Sequence, residues 1–119
     1  MTSYDEVREV NQAIVDAAAR GDAAALAAMY DEEARFLVPG SPTVKGSGAI
    51  AALCADFLSA GPVQIGFELT DVWESERLVV TVGTLTVGHR PQERCVVVYR
   101  RDERGSLKIL VDAPIRQTG

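Results

Sequence analysis

Apolar residues recur three and four positions apart between Tyr4 and Arg20, at Val7, Val10, Ala13, Ile14, Ala17 and Ala18. That spacing gathers them on one face of a helix. Gly21 stops the helix, because glycine takes the left-handed conformation common at helix ends. Asp22 is placed to cap a second helix, from Ala23 to about Tyr30, with Leu26, Met29 and Tyr30 on its larger side. Alanines on both helices permit close approach, so the pattern predicts a tight helical hairpin. Arg35-Phe36-Leu37-Val38 has strand character and runs into the turn pair Pro39-Gly40. After the loop Ser41–Gly46, Ser47 is placed to cap a third helix with Ile50, Leu53, Cys54, Phe57 and Leu58 at helical spacing. Gly61-Pro62 ends it, since proline cannot continue a helix.

The period then changes to two. Val63, Ile65, Phe67 and Leu69 alternate with Gln64, Gly66, Glu68 and Thr70. A turn near Glu74-Ser75-Glu76 leads to a strand over Leu78–Val87, and Gly88–Pro91 leads to Cys95–Tyr99. Asp102–Gly105 is the next turn, before a last strand over Leu107–Ile115. Short turns between successive strands imply a meander. The fold class is therefore α+β, with three N-terminal helices packed on a curved antiparallel sheet in a single domain over residues 1–119. Val79 with Val80, and Val96 through Val98, are apolar on both sides of their strands. The helices cover one face; the other is either curled inward or covered by a second subunit, and a homodimer through the sheet is the favoured expectation.

Composition narrows the partners. With 47% hydrophobic and 24% charged residues in 119, the chain is an ordinary globular sequence long enough for its own core. No apolar run approaches the roughly 20 residues of a membrane span, and MTSYDEVREV lacks the basic-then-apolar pattern of a signal peptide. A cytoplasmic location is expected, with Cys54 and Cys95 as reduced thiols. A net charge of −5 argues against nucleic acid. Arg90, Arg94, Arg100, Arg101 and Arg104 are interleaved with Glu93, Asp102 and Glu103, as on a solvated strand edge and hairpin. There is no P-loop, no GxSxG elbow and no dinucleotide fingerprint. The one histidine, His89, sits in a predicted exposed turn beside Gly88 and Pro91. Neither a cofactor nor a metal site is expected.

Particular segments resemble a known family. Tyr30-Asp31-Glu32-Glu33-Ala34-Arg35-Phe36, then Val38-Pro39-Gly40-Ser41-Pro42, Lys45-Gly46 and Ile50 resemble the helix-to-strand segment of SnoaL-like proteins of the NTF2-like superfamily. Val96–Asp102, Gly105–Ile109 and Asp112 look like their closing hairpin. The resemblance covers nearly the whole chain. It implies a cone-shaped α+β barrel, usually a homodimer, with a cavity between helices and sheet. Such proteins include steroid isomerases, polyketide cyclases, epoxide hydrolases and non-catalytic modules, so the fold does not choose a function. By the resemblance, the isomerase's proton-handling groups would fall at Ile14, Val38 and Val97. All are aliphatic here, so that machinery is missing.

If Val97 faces inward, as the resemblance implies, strand alternation puts Cys95 and Tyr99 on the same inner face, and on the last strand Leu110, Asp112 and Pro114. Asp112 interrupts an apolar run, where a carboxylate is costly without a partner. It is the candidate acid or base, with a pKa raised by burial; the alternative is a structural carboxylate that accepts hydrogen bonds. Tyr99 is a candidate donor to a ligand carbonyl, or else a core ring with its hydroxyl at the rim. Tyr30, Val38, Trp73, Cys95, Val97 and Leu110 are candidate ligand contacts, although Tyr30 and Trp73 also suit plain packing. The leading expectation is a cavity that binds a small, apolar, oxygenated molecule. An isomerase, cyclase or hydrolase using Asp112 with Tyr99 is one alternative, and a dimerisation or docking module another.

Overall fold

Thr2 and Asp5 open the first helix by capping each other: the Thr2 hydroxyl accepts from the Asp5 amide at 3.2 Å, and the Asp5 carboxylate accepts from the Thr2 amide at 3.1 Å. Two amides without partners in the first turn are satisfied this way. Helix α1 (Ser3–Arg20) ends at Gly21, at φ 69°. Its Val7, Ile14, Ala17 and Ala18 are buried, as their spacing predicts. The computed structural model describes residues 2–115.

The second helix is shorter than expected: α2 spans Ala23–Ala27 only. Tyr30 does not end it but begins strand β1 (Tyr30–Phe36), which takes in the acidic run Asp31-Glu32-Glu33. A two-residue strand β2 (Val44–Lys45) precedes helix α3 (Gly46–Phe57). The residue at the N-cap of α3 is Lys45, without a side-chain cap bond, rather than Ser47. The meander follows as β3 (Ile65–Ser75), β4 (Leu78–Val87), β5 (Glu93–Arg101) and β6 (Leu107–Ile115). The turn after β3 falls at Glu76-Arg77, later than predicted, and Glu76 takes φ 48°.

These strands form one curved sheet in the order β2-β1-β6-β5-β4-β3. It is mixed, not antiparallel throughout: β1 runs parallel to β6. Alternation could not reveal this, because β1 has only Asp31 and Ala34 buried and shows no period of two. Long-range bonds hold it instead. The Ile109 amide donates to the Met29 carbonyl and the Leu37 amide to the Asp112 carbonyl, each at 2.9 Å. Arg100 grips Asp31 with Nε at 3.0 Å and Nη2 at 2.7 Å, and reaches Glu33 at 2.9 Å. Arg101 ties β5 to α1 through both oxygens of Glu6. These two arginines are thus braces within the fold rather than a solvated edge; paired donors on a carboxylate fix geometry as well as adding energy.

Helices cover one face of the sheet, over Val79, Thr81, Cys95, Val97, Tyr99, Leu107 and Ile109. The other face carries Trp73, Val80, Val98 and Val111, which lie in one row across β3 to β6, flanked by Val82, Val96 and Ala113. Trp73 is 56% exposed. Among the described residues, no helix is long and apolar enough to cross a membrane.

Besides the register shift between Tyr30 and Arg35 where β1 pairs with β6, two bulges interrupt the ladders of the meander. Leu69 pairs with Gly83 and Asp71 with Val82, leaving Thr70 as an extra residue whose hydroxyl donates to the Val82 carbonyl at 2.8 Å. Val98 pairs with Val111 and Tyr99 with Ile109, leaving Leu110 extra. An extra residue bends its strand and increases the local twist. At the first bulge the backbones come so close that a Cβ on Gly83 would meet the Glu68 carbonyl oxygen at 2.4 Å. Gly83→Ala should therefore destabilise the fold by about 1–3 kcal/mol, read as a lower urea midpoint; an unchanged midpoint would show that the bulge yields freely.

Candidate functional site

A cavity of about 220 Å³ lies between the helices and the inner face of the sheet. Ile14 of α1, Leu26 of α2, and Leu53 and Phe57 of α3 supply one side. Phe36, Val38 and the inner residues of β5 and β6 supply the other. Pro39, Arg90 and Glu93 border it where strand ends and loops bring it toward the surface; Arg90 is exposed. Most of the wall is aliphatic or aromatic, as in small-molecule pockets generally.

Asp112 is the carboxylate set into this wall. The Tyr30 hydroxyl donates to its Oδ2 at 2.8 Å, across 82 positions of sequence. Asp112 is half-buried and lines the cavity. Its Oδ1 makes no hydrogen bond among the described residues, yet it is not among their sealed, unpartnered atoms, so it meets open volume. Desolvation pushes the carboxyl up to about 6, with the Tyr30 hydrogen bond pulling the other way. Such a group exchanges a proton near neutral pH, whereas an ordinary aspartate is ionised well below it.

The charge of Asp112 is felt by its neighbours. Burial first, and Asp112 second, raise the Tyr30 and Tyr99 phenols and lift both Cys54 and Cys95 thiols to about 11. Both cysteines are buried and free. Held as thiols, they are poor nucleophiles at neutral pH. The Tyr99 hydroxyl already has a partner: it donates to Asn11 Oδ1 at 2.7 Å. Among the described residues no three His, Cys, Asp or Glu side chains are grouped to hold a metal ion.

Of the residues singled out by sequence, Asp112, Tyr99, Tyr30, Val38, Cys95 and Val97 line the cavity. Leu110 does not: as the extra residue of its bulge it resets the alternation, so that Ile109 and Asp112 both border the cavity. Trp73 pairs with Val80 on the opposite face of the sheet and takes no part. His89 is exposed and outside the lining. Asn11 is the polar residue that sequence reading passed over. Its signal was present, since it sits between Val7 and Ile14 on the inward stripe of α1.

Because its pKa is raised on folding from the model-peptide value of 3.8, Asp112 favours the folded state below that value and loses this contribution as pH rises through 6. Asp112→Asn removes the titration. The stability difference, wild type minus variant, should fall by about 1–3 kcal/mol between pH 4 and pH 7.5, measured by denaturant unfolding at each pH. A difference independent of pH would place Asp112 in contact with bulk water.

Similarity to other proteins agrees with this architecture. A family model described as the SnoaL-like domain matches residues 11–109. No curated protein matches the chain in sequence. Among solved structures, an NTF2-like protein with a cystatin-like fold from Novosphingobium aromaticivorans is 23% identical, with 98% of this chain and 82% of that one covered and a TM-score of 0.78. ActVI-ORFA from Streptomyces coelicolor is 19% identical, covering 95% and 96%, with a TM-score of 0.80. A protein from Catenulispora acidiphila, solved in complex with S-DNPA, is 22% identical, covering 93% and 92%, at 0.73. At these identities the likeness concerns the fold, whereas the family match spans most of the sequence. The chain belongs to the SnoaL-like domain family, and its fold is the NTF2-like one.

Proposed function

We propose that this protein binds a small, largely apolar molecule carrying oxygen, with Asp112 as its polar anchor. The observation that carries this reading is the Asp112 carboxylate, oriented by Tyr30 and with one oxygen free, in the wall of an apolar cavity of about 220 Å³ whose other carboxylate, Glu93, lies at its border. An apolar cavity of about 150 Å³ admits benzene, so the volume suits roughly one substituted ring. The Catenulispora acidiphila protein of the same fold was solved with a bound compound, which supports the reading.

Benzyl alcohol, titrated into isotope-labelled protein, should shift the resonances of Leu53 and Val97 on opposite walls. Asp112→Asn should weaken that binding by about 10-fold, the worth of one hydrogen bond to a charged group. Shifts confined to exposed residues would end the cavity reading.

A catalytic version rests on one further observation, the Asp112 carboxyl at about 6, which suits proton transfer at neutral pH. Ile14, Val38 and Val97 occupy the positions where the resemblance places an isomerase's acid and base, and all three line the cavity without a titratable group. Catalysis here would therefore depend on Asp112.

The homodimer is part of the same proposal. Trp73, Val80, Val98 and Val111 make a continuous apolar row on the face that the helices leave open, and a second copy would remove it from water. Sedimentation at micromolar concentration should give twice the 12.8 kDa chain mass, and Val98→Glu should reduce it to the monomer. A wild-type monomer would refute the dimer without touching the cavity.

A further inference from the structure

Helix α1 turns one polar side chain toward the sheet. Asn11 lies on the stripe of Val7, Ile14 and Ala18, and only 6% of its surface is accessible. A primary amide has a carbonyl acceptor and two N–H donors to satisfy, and burying such a group unpaired is costly. Its Oδ1 is satisfied by the hydroxyl of Tyr99, a residue 1% exposed. With Oδ1 on the Tyr99 hydroxyl, Nδ2 points away from it. Nδ2 makes no hydrogen bond among the described residues, and the sealed, unpartnered side-chain atom among them is Ser3 Oγ. The Asn11 amide nitrogen therefore meets open volume, and Asn11 lines the cavity. It also borders a shallow groove outside, between α1 and Ile65–Leu69 of β3.

Building on the cavity reading above, we propose that Asn11, oriented by Tyr99, is the residue that recognises a carbonyl oxygen, so that the ligand is a small cyclic or aryl ketone rather than a hydrocarbon. The amide donates to the carbonyl, the apolar wall takes the ring, and Asp112 remains for a second polar group. Asp112 lines the same cavity, and its charge is felt at the Tyr99 hydroxyl that holds Asn11. A buried donor without a partner is also how a site rejects the wrong ligand, because an apolar group placed against it leaves it unpaired.

Acetophenone and cumene make a matched pair: cumene replaces the carbonyl by a methyl-bearing carbon at nearly the same size. Asn11 is the only asparagine in the sequence, so its side-chain NH₂ resonances are assigned by their loss in Asn11→Leu. Acetophenone should shift those resonances together with those of Leu53 and Val97; cumene should shift the wall residues alone. Asn11→Leu should weaken acetophenone by about 10-fold and leave cumene within about 2-fold of wild type. If that variant fails to fold, Asn11→Leu/Tyr99→Phe, which leaves no phenol unpaired, answers the same question. Wall resonances that respond to both compounds while the Asn11 amide responds to neither would show that the amide faces the outer groove, and would overturn the assignment. Equal loss of both compounds in the variant would make Asn11 a packing residue and overturn it too. If neither compound, nor benzyl alcohol, reaches the wall, the cavity reading itself falls and this assignment with it.

Discussion

The parallel pairing of β1 with β6 is the constraint from which the cavity follows. It sets Phe36 opposite Asp112 and brings the Tyr30 hydroxyl to the Asp112 carboxylate. The composition of β1 works against it: Tyr-Asp-Glu-Glu-Ala-Arg-Phe contains three acids, which are depleted in strands. What offsets this is charge pairing outside and packing inside. Arg100 neutralises Asp31 and Glu33 from the neighbouring face, while Ala34 is sealed against the core. The same strand therefore anchors the outer ion pairs and delivers the phenol that orients the buried carboxylate. Losing the pairing would leave an acidic segment loose and Asp112 without a donor.

Curvature is the second requirement, and the bulges on β3 and β6 contribute to it, since an extra residue bends its strand. The bulge at Thr70 bends β3 and depends on Gly83, where no side chain fits beneath the Glu68 carbonyl. The bulge at Leu110 has a chemical consequence as well. Ile109 and Asp112 are three residues apart, so in an unbroken strand they would point to opposite faces. The extra residue puts both on the cavity side, and a carboxylate that would have faced out beside Leu110 is turned inward instead. Its cost of desolvation is only partly relieved by Tyr30, which is why its proton affinity rises.

The sheet thus has two apolar faces with different uses. On the inner one, helices seal most of the surface and leave a void edged by Asp112 and Asn11, two polar side chains each held by a tyrosine. Each has one hydrogen-bonding atom without a partner among the described residues, and the proposed recognition rests on that pair of atoms more than on the fold. On the outer one, the row from Trp73 to Val111 has no covering element among the described residues.

By itself the sequence determined which stretches become helix or strand wherever a period of 3.6 or 2 was unbroken: α1, α3 and the four strands of the meander. It also singled out Asp112, because a carboxylate within Ile109–Ile115 contradicts its surroundings; with Val97 set inward by the family resemblance, alternation carried Cys95 and Tyr99 with it, and β5 proved regular enough for that to hold. Only the tertiary structure decided the rest. The strand at Tyr30 has no period of its own and exists through partners 69 and 82 positions away. Leu110 was misplaced because, as the extra residue, it falls outside the alternation that places Asp112 and Pro114 inward. Trp73 faced the wrong side because it lies on β3 beyond the extra residue Thr70, which inverts the later alternation. Asn11 stood in plain view on an apolar stripe, but the meaning of a polar side chain there depends on what it meets, and Tyr99 is 88 residues distant. Periodicity is a local property of the chain; pairing between remote segments, and the void they leave, is not.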